Sequence, residues 1–300
     1  MNLLTVVWDF DPTLITIGSF ELRYYSVMWA AALLVGCWVF AYFCRREGKP
    51  SSVVDTAFLY IALGTIIGAR VGHCLFYEPA EYLAEPWKIV TGIRDGGLAS
   101  HGAAIGILVG IWLSSRKNKV DVMWTADRLG IIAALSGALI RLGNLFNSEI
   151  IGTPTDMPWG FKFVRSFEYR DMAVEHVPAC HPTQLYEAIC YFVVFAVLFV
   201  LYRKTKLSQR RGFFFGAGVI GIFLSRFLIE FIKIVQVDFE KGMVLDMGQW
   251  LSLPFILIGV ISVWYSLRRP PVVEGEKKND AASTEPKPAT PKHVKRFKKR

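Results

Sequence analysis

Charge is scarce in this chain. Asp, Glu, Lys and Arg make up only 20% of its 300 residues, against 53% hydrophobic residues and a mean hydropathy of +0.37. That balance excludes an ordinary soluble domain and points to an integral membrane protein. Metal chemistry has little to work with. The five cysteines, Cys37, Cys44, Cys74, Cys180 and Cys190, show no ligand-type spacing, and four of them sit in apolar runs, so they read as small core residues rather than ligands or disulfide partners. No cofactor is expected. A Gly-x-Ser-x-Gly nucleophile turn is missing, which weakens an intramembrane protease built on Ser136 or Ser100. No convincing internal repeat is present, which weakens a carrier.

A charged leader is missing as well. Leu34-Val35-Gly36-Cys37 has the form of a lipoprotein cleavage box, but no Lys or Arg precedes Arg23 and the apolar run continues past the cysteine. The net charge of +9 does not signal nucleic acid, and none is expected as a partner. Residues 270–300 carry nine Lys/Arg against four acidic residues, which accounts for +5 of it. This tail, rich in Pro, Lys, Glu, Ala and Thr, is expected to be disordered, with weak attraction to anionic membrane lipid.

What the sequence does have is apolar runs. Seven candidate spans cover 25–43, 53–76, 98–113, 124–146, 184–202, 213–235 and 249–267. The third is short, and the fourth carries Asp127, Arg128 and Arg141. The loops follow a pattern. Arg45, Arg46 and Lys49, then Arg116, Lys117 and Lys119, then Arg203, Lys204, Lys206, Arg210 and Arg211, then Arg268 and Arg269, all fall on one side of this count. The opposite loops are acidic. Lys/Arg excess marks the cytoplasmic side, so the N-terminus is expected outside and the C-terminus inside. The expectation is an all-α, multi-pass membrane domain over 1–269 with a small extracytoplasmic cap at 147–182. Phe161, Phe163, Phe167 and Tyr169 alternate there with polar residues and predict a strand or two.

Polar residues gather at the outer ends of the spans. In RLGNLFNSEIIG (141–152), Arg141, Asn144 and Asn147 share one helical face, with Glu149 just beyond. An Arg at membrane depth costs about 2.5–3.5 kcal/mol on insertion scales, so it faces a polar partner. Either it pairs with a Glu to hold two helices together, or it forms a fork for an anion. His101, at the first turn of span three, is either a hydrogen-bonded structural residue or a general base near neutral pH. Arg70 lies in a run of small residues that otherwise reads as packing surface. His181-Pro182-Thr183-Gln184 suits a helix start, with Glu187 one turn inside. Arg226 and Glu230 are spaced as an ordinary helical ion pair, yet Arg226 is deep in an apolar run. Tyr25 begins span one, where interfacial aromatics are common. Helix-to-helix pairing explains some of these residues. Three arginines beside a His and several carboxylates fit a cavity for an anionic lipid headgroup. A transporter or a membrane scaffold remains open on the residues alone.

Taken in order, ELRYYSVMW, GARVGHCLFY, DGGLASHGAAIG, RLGNLFNSEIIG, HPTQLYEA, RFLIEF and DMGQWLSLP resemble the prolipoprotein diacylglyceryl transferase family of bacterial inner membranes, over residues 21–267. The resemblance implies transfer of the sn-1,2-diacylglyceryl group of phosphatidylglycerol to the lipobox cysteine thiol of a prolipoprotein signal peptide, with release of glycerol 1-phosphate. It implies that Tyr25, His101, Arg141, Asn144, Glu149, Gly152 and Arg226 are essential and that Arg70 and Glu230 line the cavity. Asn147 and Gln184 lie in the matched motifs and are expected to bind substrate. Two positions depart from the family. Ile222 replaces a Tyr common one turn before the matched Arg226, and Ala103 follows His101-Gly102 where the family has a second Gly.

Overall fold

The computed structural model describes residues 5–18, 20–92, 97, 99–235 and 242–272. Asp95 and Gly96, the loop acids Asp238 and Glu240, and nearly all of the basic tail lie outside the described residues.

Among the described residues, seven long helices form the body: α1 (Tyr24–Arg46), α2 (Ser51–Phe76), α5 (Ser100–Lys117), α6 (Val122–Phe146), α7 (Thr183–Lys204), α8 (Phe213–Glu230) and α9 (Met247–Arg268). Two short helices, α3 (Pro79–Ala84) and α4 (Lys88–Thr91), fill the connection after α2. Among the described residues, six helices are long and apolar enough to cross a membrane. The seventh expected span, α5, is not among them. It is as long as α8, but it ends in Ser114, Ser115, Arg116 and Lys117, which dilutes its apolar run.

Glycine holds α5 in place. Gly64, Gly68 and Gly72 of α2 face Gly102 and Gly106 of α5 in an antiparallel seam, where a Cβ on Gly106 would strike the Gly64 carbonyl oxygen. Such a seam lets two backbones meet without the large side chains that drive packing in water.

The bundle has two distinct ends. At one end, Glu47 accepts from Trp124 Nε1 (2.6 Å), Arg128 Nε (3.0 Å) and the Tyr202 hydroxyl (2.6 Å). Asp127 accepts from the backbone of Gly212 (2.8 Å) and Phe215 (3.0 Å), so its carboxylate sits at the N-terminus of α8, where free N–H groups favour an anion. These two contacts explain the charges in the apolar run of α6. The basic loops meet at this end too. Arg46 donates to Arg203 O, Arg210 reaches the carbonyls of Ser266, Leu267 and Arg269, and Arg211 faces Asp121 at 3.8 Å.

The other end carries the extended segments. Strand β1 (Val6–Trp8) pairs in parallel with β4 (Phe161–Phe163), and β2 (Thr13–Ile17) forms a hairpin with β3 (Phe20–Arg23). Trp8 ties the N-terminal strand to the bundle by donating Nε1 to Leu145 O (3.0 Å) and packing with Phe10, Phe146 and Phe161. The expected aromatic alternation stops at Phe163. Ser166 N bonds back to Phe163 O, and Tyr169 N and Arg170 N to Ser166 O, so the chain turns and leaves Phe167 exposed. The sixth span also ends early, at Glu230 rather than 235. Residues 232–234 leave the helix to pair with residues 151–153: Thr153 N donates to Ile232 O, and Ile234 N to Ile151 O.

Candidate functional site

Helix α6 ends at Phe146, and the chain doubles back at once. Ser148 and Ile150 take positive φ (53° and 61°) on either side of Glu149. For a β-branched residue such as Ile150 that conformation is strained, and such strain costs about 1–3 kcal/mol and collects at functional sites. Side chains at the start of α7 hold the turn. Thr183 Oγ1 donates to Ile150 O (2.8 Å), and Gln184 Nε2 donates to Glu149 O (2.7 Å). Both residues are fully buried. Gly152 then threads between two backbones, where a Cβ would meet both His181 O and Ile232 O. Its N–H donates to His181 O at 2.9 Å.

The turn swings Glu149 back over the helix end. Glu149 Oε1 accepts from Asn144 Nδ2 (2.7 Å) and lies 3.5 Å from Asn147 Nδ2. Asn144 Oδ1 accepts from the Arg141 guanidinium (3.2 Å). Arg141, Asn144 and Glu149 thus form a relay in which one amide donates to the acid and accepts from the base.

Beneath the relay, Arg141 Nε lies 2.9 Å from Glu187 Oε2, a charge contact without aligned hydrogen-bond geometry. Glu187 is fully buried, and its other oxygen faces Lys233 Nζ at 3.1 Å. Lys233 also meets Glu230 Oε2 at 2.9 Å, and Glu230 Oε2 lies 3.9 Å from Arg226 Nε. Polar atoms are left over: Arg226 Nε, Asn147 Oδ1 and Gln184 Oε1 are buried without a protein hydrogen-bond partner. In the two amides the nitrogens are fixed by their bonds to Glu149, so the free atoms are acceptors. Unsatisfied buried polar atoms are rare, and several gather around this one cluster. Tyr25 closes one side, its ring against Gly143 next to Asn144.

A second cluster sits at the same end on α2 and α5. Arg70 is buried and donates to Ile89 O (2.9 Å), Lys88 O (2.9 Å) and the Tyr82 hydroxyl (3.2 Å), so it clamps the connection containing α3 and α4. His101 is exposed and packs on Tyr77 (stacked, 5.8 Å) and Phe76 (5.4 Å). Among the described residues, no hydrogen bond or ion pair joins Arg70 or His101 to Arg141. The structure thus links Arg141, Asn144, Asn147, Glu149, Gln184, Arg226 and Glu230 in one network, with Tyr25 and Gly152 packed against it, while the contacts of Arg70 and His101 described above are made with α2 and the connection that follows it. In place of the family's Tyr, Ile222 is followed by Phe223, which stacks on Phe255 of α9 at 4.3 Å.

Sequence reasoning passes over Lys233, reads Thr183 only as part of a helix start, and leaves Glu187 without a role. Lys233 offers one signal, a lone cation three residues after Glu230 within an apolar run. An apolar cavity of about 320 Å³ opens below the cluster between α1, α2, α5 and α6, and Ile140, the neighbour of Arg141, belongs to its lining. Ser136 also lines it and donates to Ala32 O (3.4 Å).

Comparison with known proteins agrees with this architecture. The sequence model of the family described as prolipoprotein diacylglyceryl transferase matches residues 12–265. Three bacterial proteins named phosphatidylglycerol–prolipoprotein diacylglyceryl transferase are similar over nearly their whole length. The one from Porphyromonas gingivalis is 44% identical over 272 residues, covering 88% of this chain and 96% of the relative. That from Tolumonas auensis is 43% identical, covering 87% and 97%. That from Chloroherpeton thalassium is 41% identical, covering 88% and 95%.

Proposed function

The chain belongs to the prolipoprotein diacylglyceryl transferase family, and from that premise we propose that it transfers the diacylglyceryl group of phosphatidylglycerol to a prolipoprotein, at the cluster around Arg141. The acceptor is the lipobox cysteine thiol of the precursor's signal peptide. A C–S bond forms at the glyceryl carbon as its C–O bond to phosphate breaks. The thiol proton is taken up by a base, and the phosphate departs as glycerol 1-phosphate.

One observation carries this reading. The Arg141–Asn144–Glu149 relay ends an apolar helix and is linked through Glu187, Lys233 and Glu230 to a second, incompletely paired cation, Arg226. Two guanidinium groups suit a phosphodiester and the charge it gains as the bond breaks. The free acceptors Asn147 Oδ1 and Gln184 Oε1 suit the hydroxyls of the glycerol headgroup, and the apolar cavity beside Ile140 suits an acyl chain. Tyr25 would cover the headgroup. Asn144 and Glu149 fix the Arg141 fork, so its approach needs no reorganisation during reaction.

His101 is assigned the thiol. A thiolate is the nucleophilic form, and an imidazole at the outer end of α5 is placed to accept the proton or to lower the thiol's pKa. The precursor's apolar segment would then enter laterally on the α2–α5 side. Arg70 supports that side by fixing the α3–α4 connection. The basic end of the bundle faces the cytoplasm and the site end faces out of a bacterial inner membrane.

The test uses purified protein in detergent containing phosphatidylglycerol with a synthetic lipobox peptide. The expected result is glycerol phosphate release and a diacylglyceryl mass gain on the cysteine, both requiring the thiol and both lost in Arg141→Ala. Well-folded wild type that releases no glycerol phosphate in the presence of the thiol overturns the reading.

A further inference from the structure

Lys233 is a buried cation. Its side chain is 4% exposed, and its Nζ sits between Glu187 Oε1 (3.1 Å) and Glu230 Oε2 (2.9 Å). The backbone around it is fixed from both sides. Lys233 forms a bridge with Gly152, and the neighbouring residues bond to Ile151 and Thr153, directly after the Glu149 turn. Helix α8 stops at Glu230, so the chain leaves the helix in time to place this one side chain under the cluster.

The charges explain what it does there. Glu187 and Glu230 are two carboxylates at the centre of the site, and among the described residues the other cations in contact with them are Arg141 and Arg226. A buried carboxylate needs a full counter-charge. Arg141 already meets Glu187 at 2.9 Å, but Arg226 does not close on Glu230; without Lys233 it would turn its fork onto that glutamate, because a bidentate pair is the strongest contact open to it. With Lys233 in place, Glu187 and Glu230 share its ammonium. Arg226 then stays 3.9 Å from Glu230, with its Nε without a hydrogen bond and its side chain 36% exposed. Arg141 keeps a hydrogen bond for the Asn144 relay.

We propose that Lys233 is a positioning residue: it neutralises Glu187 and Glu230, so that the Arg226 guanidinium remains turned toward the anionic phosphodiester of the lipid donor. This rests on the transferase reading above and adds a residue to it. Lys233 touches no reacting atom and acts through the two glutamates.

The experiment measures KM for phosphatidylglycerol and kcat, with lipobox peptide saturating, in wild type, Lys233→Met, Lys233→Arg and Glu230→Gln/Lys233→Met. Removing the ammonium is expected to raise KM about tenfold, the size of one charge-assisted hydrogen bond, with kcat changed less than about threefold. Lys233→Arg keeps the charge and should hold KM within about threefold of wild type. The double variant removes the carboxylate that would capture Arg226, so its KM should recover most of the rise. A purely structural role would lower the melting temperature and the active fraction while leaving KM alone, and the double variant would be no better than the single one. An unchanged KM in folded Lys233→Met, or no recovery in the double variant, overturns the proposal. If Lys233→Met does not yield a monodisperse protein, the comparison rests on Lys233→Arg and the double variant, and a tenfold rise in KM for either overturns it. Wild type that transfers nothing to the thiol is a separate outcome and overturns the transferase reading instead.

Discussion

Arg141 and Glu187 meet across the interface of α6 and α7, Nε to Oε2 at 2.9 Å, and the same carboxylate holds Lys233 with its other oxygen. One buried anion thus fixes two cations that come from distant parts of the chain. Glu187→Gln keeps the shape and removes the charge, leaving Lys233 the Glu230 carboxylate and Arg141 only the neutral partners Asn144 and Tyr191. Breaking a buried pair from one side costs about 3–5 kcal/mol, because the remaining charge is uncompensated. The expected outcome is a kcat/KM at least about a hundredfold lower, together with a lower melting temperature, read in the peptide transfer assay and by thermal unfolding in detergent.

Much of this site is legible in the amino-acid sequence. The three-residue spacing of Arg141, Asn144 and Asn147 places them on one helical face, and an Arg in an apolar run demands a partner. The apolar runs locate the helices, and six of the seven stand out by length and composition alone. What stays hidden depends on long-range pairing. Residues 231–235 are mostly apolar and continue the period of α8, so nothing local marks Glu230 as the helix end. The helix ends because residues 232–234 pair with residues 151–153, about 80 positions away. Lys233 escapes a sequence reading for the same reason. The alternation of Phe161, Phe163, Phe167 and Tyr169 holds for Phe161 and Phe163, which form β4, and stops there because Ser166 turns the chain back on Phe163. The placement of His101 also follows from packing, since glycines hold α5 along α2, while α5 meets α6 at the opposite end of the bundle through Ser115 and Thr125 (2.8 Å).

The glycine seam makes a sharp prediction of its own. Gly106→Val places branched carbon where the Gly64 carbonyl lies, and neither backbone has a flexible side chain to move aside. Overpacking of this kind costs about 1–3 kcal/mol or more, and here it must separate α2 from α5. The melting temperature should fall. KM should rise for the lipobox peptide, because His101 rides on α5, and for phosphatidylglycerol, because Ile107 beside Gly106 lines the apolar cavity. An unchanged KM for the peptide in the folded variant would remove His101 from the acceptor side.

At the opposite end of the bundle, Glu47→Ala separates stability from catalysis. Glu47 accepts from Trp124, Tyr202 and Arg128, and Arg128 is only 1% exposed. The variant leaves the buried guanidinium only the more distant Asp127 carboxylate at 3.9 Å, a loss of up to about 3–5 kcal/mol. The network joins α1, α6 and α7 far from Arg141. The expected outcome is a clear drop in melting temperature with KM for phosphatidylglycerol unchanged in the folded fraction. A shifted KM would mean that the two ends of the bundle are coupled.

The cap should be sensitive to alkali, through Tyr169. Burial pushes its phenol up from 10.0 to about 12, helped by the neighbouring Cys180 and Glu168. The Cys180 thiol, which reaches the Tyr169 hydroxyl at 3.8 Å, is itself raised by burial. A group whose pKa is raised on folding favours the neutral form in the folded state. Its contribution is complete below the unfolded value of 10.0 and is lost as pH climbs through about 12. Tyr169→Phe has no phenol to ionise. The difference in melting temperature between wild type and this variant should therefore stay constant from about pH 7 to 9 and shift against wild type from about pH 10 upward. Cys180 ionises from a lower starting point and is present in both proteins, so it cancels in the comparison except where it touches Tyr169. A difference that stays flat to about pH 11 would mean that the phenol ionises in the folded cap as easily as in water, and that the turn after Ser166 opens before the cap unfolds.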